Sequence, residues 1–232
     1  MTYRARTLLC AAGALYAARR KRWTIAALLG ILTGLTRFMG LLVAPLLAVE
    51  WWMQRKRAPA CAKPSAAALL APLAVVAGTA VFMLYLQWNF GDPLAFAHAS
   101  EAWGRQPSSP IETIAQLLQP PPEGWGSAIA AGRLPLDNWI DLLASLTTLI
   151  LGGVLLRQRR WSEGIFVVLG SLVPLSSGLL MSQRRYVWTL FPMFFVLARW
   201  GEHPWFDRAF TALSLLGLGF FTALFANWYW VG

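Results

Sequence analysis

Three arginines stand where a permanent cation is costly or unexpected. Arg37 lies inside a largely apolar run that opens at Trp23 and closes at Trp52, and Arg184 and Arg185 stand between two further apolar runs. An ionised side chain inside a membrane segment costs about 2.5 to 3.5 kcal/mol even on lenient insertion scales, so it marks a candidate functional site. A guanidinium also presents a planar fork of donors that matches a phosphate. The three residues therefore indicate a site for an anionic, phosphate-bearing ligand.

Each of these arginines also suits a structural role. Arg37 could bond to carbonyl groups that are left free where a helix breaks. Arg184 and Arg185 could pair with an external acid or with a lipid headgroup. Tyr186 follows the pair directly and belongs to the same candidate site.

A second group of candidate residues lies in the stretch "NFGDPLAFAHASEAWGRQPSSP". Asp92 followed by Pro93 is typical of a helix start, with the aspartate as N-cap and the proline at the first helical position. Apolar residues then recur at steps of three and four from Phe96 to Trp103, which predicts a short helix lying in the membrane interface. Arg105 follows. We favour capping for Asp92, with catalysis as the alternative.

The elements that must hold these residues are apolar helices. Hydrophobic residues make up 57% of the 232-residue chain and charged residues only 13%, against about 25% charged in soluble domains. The apolar runs lack the period-two alternation of barrel strands, and only helices or closed barrels satisfy the backbone inside lipid. We therefore predict an all-α fold, a polytopic bundle of transmembrane helices. The runs cover residues 7–18, 23–52, 65–87, 138–156, 164–183, 186–198 and 209–229.

Charge and motifs exclude several classes of function. The net charge of +10 comes from basic clusters between apolar runs, without the continuous basic surface or base-reading chemistry of a nucleic-acid-binding protein. The two cysteines and the two histidines lack metal-ligand spacing. We therefore expect no nucleic acid, no metal and no cofactor.

The basic clusters predict the topology, because lysine and arginine collect on the cytoplasmic side of a membrane. "RRKR" precedes the run 23–52 and "RKR" follows it, so this run must enter the membrane and return. One unbroken helix of 30 residues would be about 45 Å long, well beyond the hydrocarbon core. We predict a broken or re-entrant helix pair, with Gly40 and Pro45 as break points and Arg37 near the turn.

The remaining runs then alternate across the membrane as a single transmembrane domain that covers residues 1–232. This count puts 13 of the 20 basic residues inside and 6 outside, with Arg37 within the membrane. The segment from about 88 to 137 is a long external loop. Within it, "QPPPEGWG" predicts a stiff loop that is neither helix nor strand.

Three stretches in this order, with the spans between them, resemble one family. They are "GALYAARRKRWTIAALLGILTGLTRFMGLL", "FGDPLAFAHASEAWGR" and "SQRRYVWTLFP". Together they are similar to the integral-membrane glycosyltransferases of the GT-C type, and within these to the PIG-V group, GPI mannosyltransferase II and its bacterial relatives. The resemblance covers nearly the whole chain, which would form the C-terminal part of a GT-C-like fold.

The resemblance implies transfer of mannose from a polyprenyl-phosphate-mannose donor to a hydroxyl group of a lipid or glycan acceptor, on the extracytoplasmic face. In such enzymes an acid in the first external loop, near the N-terminus of the family, acts as the catalytic base. This chain begins after that point, so we expect a truncated polypeptide in which the catalytic residue has no match. The candidate substrate-binding residues are Arg37, Asp92, Trp103, Arg105, Arg184, Arg185 and Tyr186.

Other functions stay open at this point. A GT-C transferase of another polyprenyl-linked sugar would need the same cationic site. A non-catalytic membrane subunit or a lipid-binding scaffold would keep the helices without the chemistry. A transporter is less favoured, because no second discontinuous segment matches the broken run. In each case we expect a multi-pass protein of a bacterial inner membrane, in contact with membrane lipids.

Overall fold

In the computed structural model, every regular element of the described residues is a helix, which confirms the all-α class. The structure describes residues 2–36, 38–59, 63–122, 124–130, 136–180 and 182–229. In chain order the helices are α1 (Thr2–Arg19), α2 (Trp23–Thr36), α3 (Val43–Arg57), α4 (Leu70–Phe90), α5 (Ala95–Glu101), α6 (Pro110–Leu118), α7 (Gly124–Ala130), α8 (Leu136–Arg157), α9 (Trp161–Leu175), α10 (Arg184–Val187), α11 (Met193–Trp200) and α12 (Pro204–Ala226). Two 3₁₀ helices, Phe38–Leu42 and Ala66–Leu69, precede α3 and α4.

Within the described ranges, three helical segments are long and apolar enough to cross a lipid bilayer. They are Ala66–Phe90, which joins the second 3₁₀ helix to α4, Asp137–Arg157 in α8, and Pro204–Ala226, which is α12. They contain 25, 21 and 23 residues, and a span needs about 20 predominantly apolar residues. None of the α12 residues is buried, so this helix lies at the periphery of the molecule.

The long apolar run between the first two basic clusters is broken in two, as the sequence predicts. The 3₁₀ helix Phe38–Leu42 separates α2 from α3. Gly40 lies inside this break, where a Cβ atom would stand 2.1 Å from the carbonyl oxygen of Thr33. Pro45 is not a break point. It lies in the first turn of α3, where the missing N–H of a proline removes no helical hydrogen bond.

Three basic clusters, at residues 19–22, 55–57 and 157–160, lie at one end of the molecule, which we call the basic end. A single cavity there is lined by Arg19, Lys21, Arg57, Arg159 and Arg160. The other end, which we call the loop end, carries Asp137, Ser177 and Arg184. The 22 residues of α8 separate the two ends by about 30 Å at 1.5 Å per residue. Both flanks of the broken run therefore lie at the same end, as the sequence predicts.

A buried ion-pair network joins three helices at the basic end. Glu163, fully buried in the first turn of α9, pairs with Arg19 of α1 at 2.9 Å and with Arg160. Arg19 also lies 3.7 Å from Glu50 of α3, and the Ser162 hydroxyl donates to Glu50 at 2.8 Å. Removing one partner of a buried pair typically costs about 3 to 5 kcal/mol. This network therefore fixes α1, α3 and α9 relative to one another.

Glycines allow α2 and α4 to pack with their backbones in close approach. A Cβ atom at Gly34 would lie 2.3 Å from the carbonyl oxygen of Val75 and 2.9 Å from the backbone nitrogen of Thr79. On the facing helix, a Cβ atom at Gly78 would lie 2.3 Å from the carbonyl oxygen of Ile31. Small residues permit such crossings between membrane helices, where dispersion contacts replace the hydrophobic effect.

Two apolar runs near the loop end differ from the sequence prediction. The run 164–183 is helical only to Leu175, because the chain turns at Gly178, whose φ of 69° lies in the left-handed region. The run 186–198 is not one helix interrupted at a single residue. Helix α10 ends at Val187, and α11 begins only at Met193, after Pro192.

The segment predicted as an external loop contains three short helices among its described residues, α5, α6 and α7, rather than one. Helix α6 begins with a capping box, in which the Ser109 side chain accepts from the Glu112 backbone and the Glu112 side chain accepts from the Ser109 backbone. Helix α7 begins at Gly124, inside "QPPPEGWG", so the prediction of no helix there is wrong. The prolines end α6 and leave the chain beyond them free to start a new helix.

We expect Gly34→Ala to destabilise the protein, because the new methyl group would collide with the α4 backbone. Overpacking of this kind typically lowers the free energy of unfolding by about 1 to 3 kcal/mol. Gly153→Ala is the matched control, since a Cβ atom at this position of α8 meets nothing within 4 Å. Thermal unfolding of the purified proteins in detergent, followed by far-UV circular dichroism, measures the difference. Equal midpoints for the two variants would contradict the close crossing.

Candidate functional site

Arg184, the first residue of α10, is held by two carboxylates at the loop end. Its Nη2 atom donates to Oδ1 of Asp137 at 2.6 Å, and its Nε atom lies 3.1 Å from Oδ1 of Asp141. The backbone N–H of Arg184 donates to the same Asp141 oxygen at 3.0 Å. The ion pair with external acids, one of the two roles that the sequence leaves open for this arginine, is therefore present.

Asp141 organises the chain around this arginine. It is fully buried, and its Oδ2 atom accepts a hydrogen bond from the backbone N–H of Ser182 at 2.6 Å. Neither Asp137 nor Asp141 is among the site residues that the sequence predicts. Their i, i+4 spacing puts them on one face of α8, and this spacing, at the start of an apolar helix, is the signal that could have identified them.

One edge of the Arg184 guanidinium has no partner. Its Nη1 atom is buried and has no hydrogen-bond acceptor among the described residues. The group lies over the ring of Phe221 in α12, with its central carbon 5.4 Å from the ring centroid. A buried donor without an acceptor costs about 1 to 3 kcal/mol. An anion that reached this edge would remove that cost.

An apolar groove of about 570 Å³ lies between α11 and α12 and begins beside α10. Trp188, at the end of α10, forms part of its wall together with Phe210 and Ser214 of α12. Phe221 follows Ser214 by seven residues, or two helical turns, and so lies on the same face of α12. The lining of the groove therefore continues along α12 towards Arg184.

Arg105 joins the external loop to the segment between α9 and α10. Its Nη1 atom donates to the Ser177 hydroxyl at 2.7 Å. The backbone N–H groups of Gln106 and Ser108 donate to the carbonyl oxygens of Ser177 and Ser176 at 3.1 and 3.0 Å. The structure thus places Arg105 at the segment that leads into Arg184.

The other sequence-predicted residues of α10 and α5 have different surroundings. Arg185 and Tyr186 follow Arg184 on α10, and both are half-buried. Trp103 lies beyond the end of α5 and is 67% exposed, so it is not part of the predicted interfacial helix. Its position suits contact with a ligand or lipid at the surface.

Arg37 lies outside the described residues, but its neighbour shows which elements meet at the break. The Phe38 ring lies against the Phe96 ring of α5, with their centroids 5.6 Å apart. The break in the long run and helix α5 therefore lie together.

The prediction that Asp92 caps α5 is wrong, because the N-cap residue is Leu94 and this helix has no side-chain capping hydrogen bond. Asp92 lies two residues before that N-cap. Its Oδ1 atom accepts from the backbone N–H of Leu94 at 2.9 Å, and its Oδ2 atom lies 2.6 Å from Nδ1 of His98. Helix α5 starts at Ala95, so Pro93 is not the first helical residue. The aspartate instead closes a turn of the kind that Asx side chains favour, before the helix begins.

The contact between Asp92 and His98 shifts both pKa values. The hydrogen bond from His98 lowers the pKa of Asp92, and the backbone N–H of Leu94 adds to this effect. The same hydrogen bond, together with the negative charge of the carboxylate, raises the pKa of His98. The pair is therefore an ion pair between the two values, at mildly acidic pH.

A second cavity at the loop end, of about 240 Å³, lies beside residues 178–180. Its lining combines the indole of Trp125 with the amides of Gln116 and Asn138 and the hydroxyl of Thr113. A flat aromatic ring with several groups that both donate and accept hydrogen bonds suits a polyhydroxyl ligand.

The chain finds no match among protein-family models, curated proteins or solved structures. Within the part of the chain that the structure describes, no three His, Cys, Asp or Glu side chains are grouped so that they could hold a metal ion. The charged, polar and apolar contacts around Arg184 are therefore the basis for a functional assignment.

We expect Asp92→Asn to move the pKa of His98 back towards its ordinary value of about 6.5. Because the wild-type pKa of His98 is raised, the ion pair stabilises the start of α5 below that ordinary value. This stabilisation is lost as the pH rises through the raised value. A nuclear magnetic resonance titration of the ¹³C-labelled histidine rings measures the shift, with the His203 signal as internal control. Identical His98 titrations in both proteins would contradict the contact.

Proposed function

We propose that this chain is a multi-pass membrane protein that binds a polyprenyl-phosphate-linked sugar at its loop end. The sugar is mannose by the resemblance to the PIG-V group of GT-C glycosyltransferases. The observation that carries the proposal is the buried Nη1 atom of Arg184, which has no acceptor among the described residues and lies near an apolar groove. A phosphate oxygen would accept from this atom, and the prenyl chain would lie in the groove.

The membrane setting rests on the apolar helices and on the distribution of charge. The three long apolar segments supply spans, and α2 with the 3₁₀ helix after it would cross in one direction and α3 return. The positive-inside rule then assigns the basic end to the cytoplasmic face of a bacterial inner membrane and the loop end to the extracytoplasmic face. Donors with a polyprenyl-phosphate group would reach the loop end from within the bilayer.

The two aspartates would contribute differently when a phosphate binds. The Asp137 side chain is 50% exposed, and an ion pair at such a position contributes little to stability. A phosphate can therefore replace it on the guanidinium. Asp141 is fully buried and would keep Arg184 oriented during this exchange. Arg185 and Tyr186 would stand next to the bound phosphate on the same short helix.

The remaining candidates would recognise the sugar and the acceptor. Arg105 lies at the segment that leads to Arg184, Trp103 is exposed at the surface, and Arg37 belongs to the break beside α5. The cavity at Trp125 offers amides, a hydroxyl and an indole to the hydroxyl groups of a lipid or glycan acceptor. Together these groups would surround a donor on the extracytoplasmic face.

The second candidate function is a lipid-binding scaffold without catalysis. It is favoured because three acids at this end are engaged, with Asp137 and Asp141 on Arg184 and Asp92 on His98. A transferase needs a free carboxylate to accept the proton of the acceptor hydroxyl. Both the transferase and the scaffold would bind the polyprenyl-phosphate-linked sugar. Only the family resemblance favours transfer of that sugar to an acceptor.

We expect Arg184→Lys to weaken binding of polyprenyl-phosphate-mannose by roughly tenfold or more, since it removes a charge-assisted hydrogen bond worth about 1.5 to 3 kcal/mol. Lysine keeps a cation beside Asp141, whereas Arg184→Ala would leave that buried carboxylate unpaired. Binding is measured by calorimetry on the detergent-purified protein, with Arg199→Lys as the control. Unchanged affinity in a folded Arg184→Lys protein would rule out the phosphate contact.

We expect Ser214→Trp to reduce the same binding, because the larger side chain would fill the groove meant for the prenyl chain. Leu216→Trp is the matched control, since this residue of α12 is 71% exposed and does not line the groove. In a separate experiment on the wild-type protein, competition between polyprenyl-phosphate-mannose and a polyprenyl phosphate with a different sugar shows which sugar the site prefers. Equal affinities of the two tryptophan variants would exclude the groove as the site of the lipid.

A further inference from the structure

We propose that the cavity at the basic end binds the phosphate group of an anionic glycerophospholipid. The cavity has a volume of about 520 Å³ and lies between the ends of α1 and α3 and the turn from α8 to α9. Five basic and two acidic side chains line it. It is separate from the loop-end site and shares with the proposed function only the membrane setting.

The two acids of this cavity are already neutralised. Glu163 is fully buried between Arg19 and Arg160. Glu50 accepts from the Ser162 hydroxyl at 2.8 Å and from the Gln54 amide at 3.1 Å. Each carboxylate is thus paired or hydrogen-bonded, and the five basic side chains against two acidic ones leave the cavity an excess of positive charge.

Two further arginines carry that excess. Arg57, the last residue of α3, and Arg159, in the turn before α9, line the cavity with exposed side chains. Neither forms an ion pair with any acid in the described ranges. They therefore provide guanidinium forks of the kind that binds phosphate in a bidentate manner.

The start of α9 adds to the positive potential. This helix of 15 residues begins at Trp161, and its N-cap residue, Arg160, makes no side-chain capping hydrogen bond. The N-terminus of a helix favours anions, because its first N–H groups point outward and its dipole is positive there. Ser162, in the first turn, lines the cavity as well. The guanidinium groups of Arg57 and Arg159 and the first turn of α9 thus line the same cavity.

The surroundings favour a lipid over a free anion. Trp52 and Trp161 are 48% and 44% exposed, and Lys56 Nζ lies 4.0 Å from the centroid of a Trp52 ring. Exposed tryptophans mark the depth of the headgroups in a membrane protein. Basic pockets between helices on the cytoplasmic side are suited to anionic headgroups. A phosphatidylglycerol molecule could place its phosphate in the cavity and its acyl chains beside the helices.

The test compares two double variants with the same change in charge at the same end of the molecule. Arg57→Gln with Arg159→Gln alters the cavity, and Arg199→Gln with Arg208→Gln alters exposed arginines that do not line it. All four substitutions leave Arg19, Glu50 and Glu163 in place, so the proteins should fold. Native mass spectrometry measures bound phosphatidylglycerol, with phosphatidylcholine and inorganic phosphate as comparison ligands.

We expect the cavity variant to lose phosphatidylglycerol affinity by roughly tenfold or more, since each basic residue near the surface contributes to attraction of anionic lipids. The control variant should retain most of it, and phosphatidylcholine should bind weakly to both. An equal loss in both variants would overturn the inference, because it would reduce the effect to overall charge. Binding of inorganic phosphate without binding of phosphatidylglycerol would overturn the assignment to a lipid. Binding at the loop end is measured separately with Arg184→Lys, so a negative result for the basic-end cavity leaves the proposed function standing.

Discussion

The fully buried carboxylate of Glu163 is the constraint on which the arrangement of the helices depends. A charge without water is tolerated only when it is paired and hydrogen-bonded, and the partners of Glu163 come from the end of α1 and from the turn before α9. Arg19 extends the network to Glu50 and hence to α3. At the basic end this network therefore joins the ends of α1, α3 and α9.

The break between α2 and α3 makes that network possible. An unbroken helix would carry Glu50 about 40 Å from the start of the run, far from Arg19. The 3₁₀ segment reverses the chain and returns Glu50 to the basic end. The same reversal places Phe38 next to α5, at the other side of the molecule. One irregular segment thus separates the basic end, where the two acids are paired, from the loop end, which holds the candidate site around Arg184.

Much of this arrangement can be predicted from the sequence, because basic clusters and apolar periodicity are local signals. They indicate the all-helical class, the break near Gly40 and the gathering of the three clusters. The pairing of Arg184 with Asp141 and of Arg19 with Glu163 is not predictable in this way. Each pair joins residues more than forty positions apart, and only the tertiary packing of α8 with α10 and of α1 with α9 brings them together. The separation of α10 from α11 likewise reflects packing around Asp141 and Pro192.

The side of the membrane reached by each end tests the central claim most directly. In a background with Cys10→Ser and Cys61→Ser, single cysteines at Arg20, Lys56 and Gln106 would be labelled with a membrane-impermeant maleimide on oriented vesicles. The reversal of the chain at the break predicts that the cysteines at Arg20 and Lys56 react from one side and that at Gln106 from the other. Labelling of the first two from opposite sides would contradict the broken run and the assignment of the two ends.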